Sequence, residues 1–510
     1  MKSLLSLLIL VVSLSAHGRA KVDPALGPFV NGQTGESYTK VLVLMDYLPS
    51  ESNPQLYDRA AVLEYLKWQS RSAWSYVDNH LRNNEPTVNN NFRPLLLFWL
   101  NQSFSGYVTP EGLRMLARTP GVTKIYANHS IEQQQPVSGR MAPPTIPGLE
   151  QDLPYNFKLI GMDRIMAEMP QVNGQGVLIA SIDTGVDASH PDLAGKIPLF
   201  YDSAKGQISD PFDAHYHGTH TIGTMIGTRE TGIGIAPAAQ LIAAGGLNWE
   251  AQVRAMEWML NPDGNDQTVN DIPRAVNNSW TSRAAPDQEF HYRAISAWEA
   301  AGILPVFSAG NSGRQGPRSI TPPKEHPATL TVGNLAQGGT INPSSSIGPA
   351  TYKGQDIQKP EISAPGTDIK STMPNGEYGE LTGTSMAAPH VAGVAALMFQ
   401  VAPQLTPSDV KSIVIRTAND HGQIGAMDGI GSWNPYYGYG KLNAYAAVKA
   451  ALSMVQRVAF NMSALIPSSF GMAKESSMDE LLEKSRPKLK DVLKMPEDLE
   501  GSNWLTVEDL

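Results

Sequence analysis

Apolar positions change their rhythm several times along this chain, and each change marks a unit. Behind Lys2 a continuous apolar run from Leu4 to Val12 is followed by Ser13, Ser15, Gly18 and Ala20. A charged start, a short apolar core and small residues near a cut form the pattern of a secretory signal, expected over residues 1–20 with cleavage after Ala20 or Ser15. The run is shorter than the roughly 20 residues a spanning helix needs, so the expectation is export to the medium or periplasm with no retained membrane segment.

The next rhythm mixes periods. Lys40 to Tyr47 reads as a strand, Ala60 to Leu81 carries apolar residues at helical spacing, and Leu95 to Leu100 is a second strand. Pro110 to Ala117 reads as a short helix and Gly121 to Ala127 as a last strand. This order predicts a small α+β domain over residues 36–132, with helices packed on one sheet face. Residues 133–153, with Pro136, Pro143, Pro144 and Pro147, read as an exposed linker.

From about Ile160 to Ala451 short continuous apolar runs alternate with helical stretches. The runs are Gly176 to Ile182, Leu241 to Ala244, Ala275 to Ser279, Leu304 to Ala309 and Thr329 to Val332. Unbroken apolar strands suit a parallel sheet buried on both faces. Helices are predicted at His217 to Ile226, Glu250 to Leu260, Arg293 to Ala301, Ser385 to Gln400 and Pro407 to Thr417, giving an α/β domain over 154–452. Within residues 453–510, Met478 to Leu493 is charged and weakly amphipathic and the last stretch is acidic, which reads as a solvated helix or a flexible tail.

Composition narrows the chemistry. A chain of 510 residues holds two or three units. Its net charge of −9 with scattered basic residues argues against nucleic-acid binding. The absence of cysteine removes a catalytic thiol, disulfides and thiolate metal sites together.

Four segments remain as carriers of chemistry. Asp183, in Ser181-Ile182-Asp183-Thr184-Gly185, sits at the end of a buried strand before a glycine turn, where open parallel sheets place their sites. An aspartic protease would need a second such motif to share the proton, and none is present. His215-Tyr216-His217-Gly218-Thr219-His220 offers either a metal site or a general base. It lacks the H-E-x-x-H arrangement, which favours His217 as a base. Ser385, in Gly383-Thr384-Ser385-Met386, opens a helix rich in alanine and glycine, where a serine is either a simple cap or a group placed in the positive field of the helix end. Asn311, in Ser308-Ala309-Gly310-Asn311, follows a strand, as a turn residue or as an amide aimed at an oxyanion.

Their order decides among these readings. Asp, His, Ser is the order of subtilisin, and the G-x-S-x-G elbow of esterases is absent. The blocks DTGVDASHPDL (183–193), HGTHTIGT (217–224), GIGIAPAAQL (232–241), SAGN (308–311) and SAPGTDIKSTMPNGEYGELTGTSMAAPHVAGVAAL (363–397) resemble the subtilisin-like serine proteases, the subtilases. The upstream segment GYVTPEGLRMLARTPGVTKIYAN (106–128) resembles the inhibitory propeptide of that family.

The resemblance implies a three-layer fold with a mostly parallel central sheet, preceded by a ferredoxin-like propeptide domain. It implies a secreted, monomeric endopeptidase acting on polypeptides and made as a self-processing zymogen, with its own propeptide as inhibitor and residues 133–153 as processing linker. Ser385 would be the nucleophile, His217 its base and Asp183 the group orienting it. Asn311 and the Ser385 backbone N–H would hold the oxyanion. Substrate would lie between Gly245-Gly246-Leu247 and Asn278-Ser279-Trp280. Thr281 and Thr321 stand where relatives commonly carry glycine, which predicts a narrower or partly polar pocket. No cofactor is implied for catalysis. The usual calcium loop, expected between Gly223 and Gly232, reads TMIGTRET and lacks those ligands, so no metal residue is assigned.

Overall fold

The computed structural model describes residues 20–46, 58–133, 136–142, 153–246, 248–268, 270–282, 287–419 and 432–465. Most of the signal segment, the greater part of the linker, Leu247 and the tail beyond Leu465 lie outside the described residues.

The N-terminal unit is a five-stranded sheet. Its elements are β1 (Lys21–Val22), β2 (Thr39–Met45), α1 (Arg59–Asn84), β3 (Phe92–Phe98), β4 (Ser103–Val108), α2 (Pro110–Arg118) and β5 (Val122–Ala127). The order across the sheet is β1-β5-β2-β4-β3. Without β1 this is the βαββαβ arrangement of a ferredoxin-like fold. Strand alternation splits its two faces: Val41, Val43 and Met45 pack with Ala73, Val77 and Leu116 of the helices. Leu42 and Leu44 point the other way, into a cluster with Trp249, Phe290 and Trp298 of the second unit.

The unit holds more than the sequence predicted. Strand β4 was not legible, because Ser103, Ser105 and Gly106 dilute its apolar alternation. The domain also begins before residue 36, since Ala20, Val22, Leu26, Phe29 and Val30 are buried in the same core. A cut after Ala20 would fall inside this packed segment, where the Ala20 N–H donates to the Ala117 carbonyl at 3.0 Å.

The expected linker holds structure too. It begins within β6 (Glu132–Gln133) and contains β7 (Ser138–Ala142). Both are strands lent to the second unit.

That unit is built on β8 (Leu178–Asp183), α3 (His217–Ile226), β9 (Gln240–Gly245), α4 (Trp249–Trp258), β10 (Ala275–Asn278), β11 (Trp280–Thr281) and α5 (Glu289–Ala300). It continues with β12 (Leu304–Ser308), β13 (Leu330–Leu335), β14 (Ile362–Pro365), β15 (Ile369–Met373), β16 (Glu377–Thr382), α6 (Thr384–Val401), α7 (Pro407–Arg416) and α8 (Ala444–Leu465). The central sheet runs β9-β8-β10-β12-β13-β14, all parallel, extended beyond β9 by two short strands at Phe200–Asp202 and Gln207–Ile208.

Alternate side chains feed two cores, as a sheet covered on both faces requires. Ile179, Leu241, Val306 and Val332 meet α3, α6, α7 and α8. Ala180, Ile182, Val276 and Phe307 meet α4 and α5. Three layers result. Helix α6 is long and apolar enough to cross a membrane by composition, but 89% of that window is buried inside the fold. Helix α8 runs through the expected boundary at residue 452.

Candidate active site

Parallel strands bring the candidates to one end of the sheet. Strand β8 ends in Asp183, β12 ends just before Asn311, and α6 begins one residue before Ser385. The turn after Asp183 and the start of α3 touch so closely that neither tolerates a side chain. A Cβ on Gly218 would lie 2.1 Å from the Gly185 carbonyl oxygen, and one on Gly185, whose φ is +123°, 1.9 Å from the Phe212 carbonyl. This contact holds His217 against the end of β8. Thr184 adds to it by accepting the Gly218 N–H at 2.8 Å.

Asp183 and His217 form a buried pair, with His217 Nδ1 2.7 Å from Asp183 Oδ1. The carboxylate is fixed by the Thr184 N–H at 2.8 Å and the Thr221 hydroxyl at 3.2 Å. Burial pulls the imidazolium down, but the carboxylates of Asp183 and Asp213 outweigh it and hold His217 above its ordinary value. Asp213 was not anticipated from sequence. It is itself anchored by the N–H and hydroxyl of Thr219 at 2.8 and 2.6 Å.

Ser385 is fully buried under the cleft. Its Oγ is directed to the Ser279 carbonyl at 3.5 Å, and His217 Nε2 has no hydrogen-bond partner among the described residues. The serine–histidine bond is therefore not closed here, as is common before a substrate completes such a site. The Asn311 carboxamide is oriented by Thr384, whose N–H and hydroxyl donate to Oδ1 at 3.0 and 2.9 Å. With Oδ1 so held, Nδ2 is the end that can donate to an oxyanion.

The other histidines take no part. His220 donates Nε2–H to the Ile369 carbonyl at 2.9 Å, and burial drives its pKa down to about 3. It is a neutral tie between α3 and the β15–β16 hairpin. Among the described residues no group of three or more His, Cys, Asp or Glu is arranged to hold a metal ion. The shortened loop does not fit calcium either. Asp192, which faces it, accepts the Thr231 hydroxyl at 2.5 Å and is hydrogen-bonded to Tyr378.

Domain-scale homology agrees with this geometry. Residues 174–440, more than half of the chain, match the model of the subtilase family. The chain belongs to that family. By family it is a serine-type endopeptidase. It is 31% identical to Bacillopeptidase F of Bacillus subtilis (strain 168) over 79% of this chain, and 32% identical to Subtilisin DY of Bacillus licheniformis over 59% of this chain and the whole of that one. It spans only 29% of Bacillopeptidase F. Fervidolysin from Fervidobacterium pennivorans, a keratinolytic enzyme related to subtilisin, shares the fold at a TM-score of 0.57 and 20% identity, over 81% of this chain and 61% of that one.

The cleft of this subtilase is filled by its own chain. Strand β6 runs antiparallel to β11, pairing Gln133 with Trp280 and Glu132 with Thr281, and Ser130 bridges to Asn248 on the facing edge. Gly245 and Gly246 end β9 beside that bridge, while Leu247 lies outside the described residues. Of the expected substrate residues, Asn278 and Trp280 turn their side chains inward. Asn278 Nδ2 donates to the Val276 carbonyl at 3.0 Å, and the Trp280 ring packs on Phe307. What β11 offers a bound strand is its backbone, as sheet-adding recognition requires. Ser279 donates its hydroxyl to the Ser385 carbonyl at 3.1 Å, tying this wall to the nucleophile.

Proposed function

We propose that the chain is an exported serine endopeptidase made as a zymogen, with Ser385 as nucleophile, His217 as general base and Asp183 as the group that fixes the imidazole. The buried Asp183–His217 bond of 2.7 Å beside the N-terminus of α6 carries this reading. Ser385 Oγ attacks the peptide carbonyl carbon while its proton passes to His217 Nε2. The oxyanion is held by Asn311 Nδ2 and the Ser385 N–H. Nε2 then returns the proton to the leaving nitrogen as the C–N bond breaks. A water next gives its proton to Nε2, bonds to the acyl carbon and releases Ser385, which recovers the proton.

The N-terminal unit is the inhibitor in this reading. It covers α4 and α5 through its sheet face, with Lys40 paired to Glu250 at 3.0 Å and the Leu100 N–H donating to Glu257 at 3.0 Å. It then sends β6 into the cleft in a substrate's place. The chain passes from β6, beside Ser279, to β7, which pairs with β16 three residues before Ser385, so the processing cut is assigned between Gln133 and Pro136. Export rests on the apolar run behind Lys2.

Mass spectrometry of the wild type and Ser385→Ala after treatment with a fluorophosphonate tests both parts. The wild type is expected to carry the label on Ser385 and to begin between residues 133 and 136, with Ser385→Ala unlabelled and uncut. Label elsewhere, or normal maturation of Ser385→Ala, rejects the assignment.

A further inference from the structure

Strand β7 pairs antiparallel with β16 over five residues, Ser138 with Thr382 through Ala142 with Tyr378. The Val137 N–H adds a bond of 2.7 Å to the Thr382 carbonyl. Together with β15, β16 and β7 form a three-stranded sheet. Chain direction gives this sheet a meaning. Residues 132–133 lie on β11, before the nucleophile, and residues 138–142 lie on β16, after it. The second half of the inserted chain therefore lies where the leaving portion of a substrate must run.

Four of the five β7 residues are exposed, including Met141 at 57%. Backbone pairing holds the strand, and backbone pairing is tolerant of sequence. One side-chain contact breaks that tolerance: Arg140 Nε lies 2.7 Å from Glu380 Oε2, and a second guanidinium nitrogen lies 2.5 Å from the same oxygen. Glu380 is 22% exposed and points from β16 toward the added strand. Asp368 adds to the negative field acting on Arg140, and Lys370 stands opposite Glu380 on β15.

We propose that the outer edge of β16 binds the leaving side of an extended polypeptide substrate, and that Glu380 selects a basic residue there, at the position Arg140 takes in this chain. This rests on the reading of Ser385 as nucleophile. The same edge is held by β7 until processing, so the segment that starts the mature chain competes with incoming substrate for it.

Processed enzyme and synthetic peptides of residues 128–144 carrying Arg, Ala or Glu at position 140 give the test, read as ratios of kcat/KM within each enzyme. The wild type is expected to prefer Arg over Ala by about two- to fivefold, as befits a partly exposed pair, and the preference should shrink with added salt. Glu380→Gln should bring the Arg-to-Ala ratio close to one, and Glu380→Arg should favour the Glu peptide. Equal rates for the three peptides on an enzyme that labels with fluorophosphonate overturn the inference alone, as does a preference unchanged in both Glu380 variants. An enzyme that neither labels nor cuts any peptide overturns the serine-protease reading beneath it.

Discussion

Thr281 and Thr321 join their hydroxyls at 2.9 Å, linking β11, which follows Ser279, to the segment that follows Asn311. Thr281 is 2% exposed and ends β11, two residues beyond Ser279. The bridge therefore ties these two segments together. Its expected effect is a barrier across the slot beside Ser385.

Removing that barrier should widen specificity. In Thr281→Gly/Thr321→Gly, kcat/KM for peptides with Phe or Leu before the cut is expected to rise about tenfold or more relative to Ala, the scale on which pockets discriminate by size. A peptide series on the double variant measures it. An unchanged Phe-to-Ala ratio would show that the bridge does not limit the pocket.

The imidazole of His217 should set the acid limb of activity. Its pKa is held above 6.5 by Asp183 and Asp213 against the opposing effect of burial. Only the neutral ring can accept the serine proton, so kcat/KM should rise with pH through a midpoint above 6.5. Asp183→Asn should lower kcat by about 10⁴ and shift that midpoint downward. Profiles of both proteins on one peptide decide the matter.

Glu257 gives the uncut chain its own pH dependence. Burial beneath the N-terminal domain raises its carboxyl to about 8, against the opposing N–H groups of Leu100 and Trp99 and the Lys67 charge. A carboxyl raised in the folded state gives stability that is complete below its unfolded value near 4.5 and is lost as pH climbs through 8. In the uncut Ser385→Ala background, Glu257→Gln should therefore gain in relative melting temperature between pH 5 and 8. Parallel melting curves at the two pH values would reject this.

Calcium should matter little to the loop at 227–232. Asp192 is buried and already satisfied by Thr231 and Tyr378. EDTA is expected to leave the melting temperature unchanged, whereas Thr231→Val should cost about 1–3 kcal/mol by stranding a buried carboxylate oxygen. Calorimetry with and without chelator measures both. A drop with EDTA that calcium restores would place a stabilising ion in this chain.

Sequence alone carried the alternation of apolar runs and helices from Gly176 to Thr417, because strands buried on both faces leave an unbroken hydrophobic trace. It also carried the order Asp183, His217, Asn311, Ser385, each within two residues of a glycine, and at Gly185 and Gly218 a close backbone approach demands that glycine. The Gly185–Gly218 contact is that demand made visible. What sequence could not carry was pairing between distant segments. Nothing local marks Asp213 as a neighbour of His217, Thr281 as the partner of Thr321, or Ser138 to Ala142 as a strand. The last of these is all polar or small except Met141 and takes its extended form from the backbone of β16, not from its own residues. Strand identity there is a property of the edge it meets. Tertiary structure alone decides where such an edge lies.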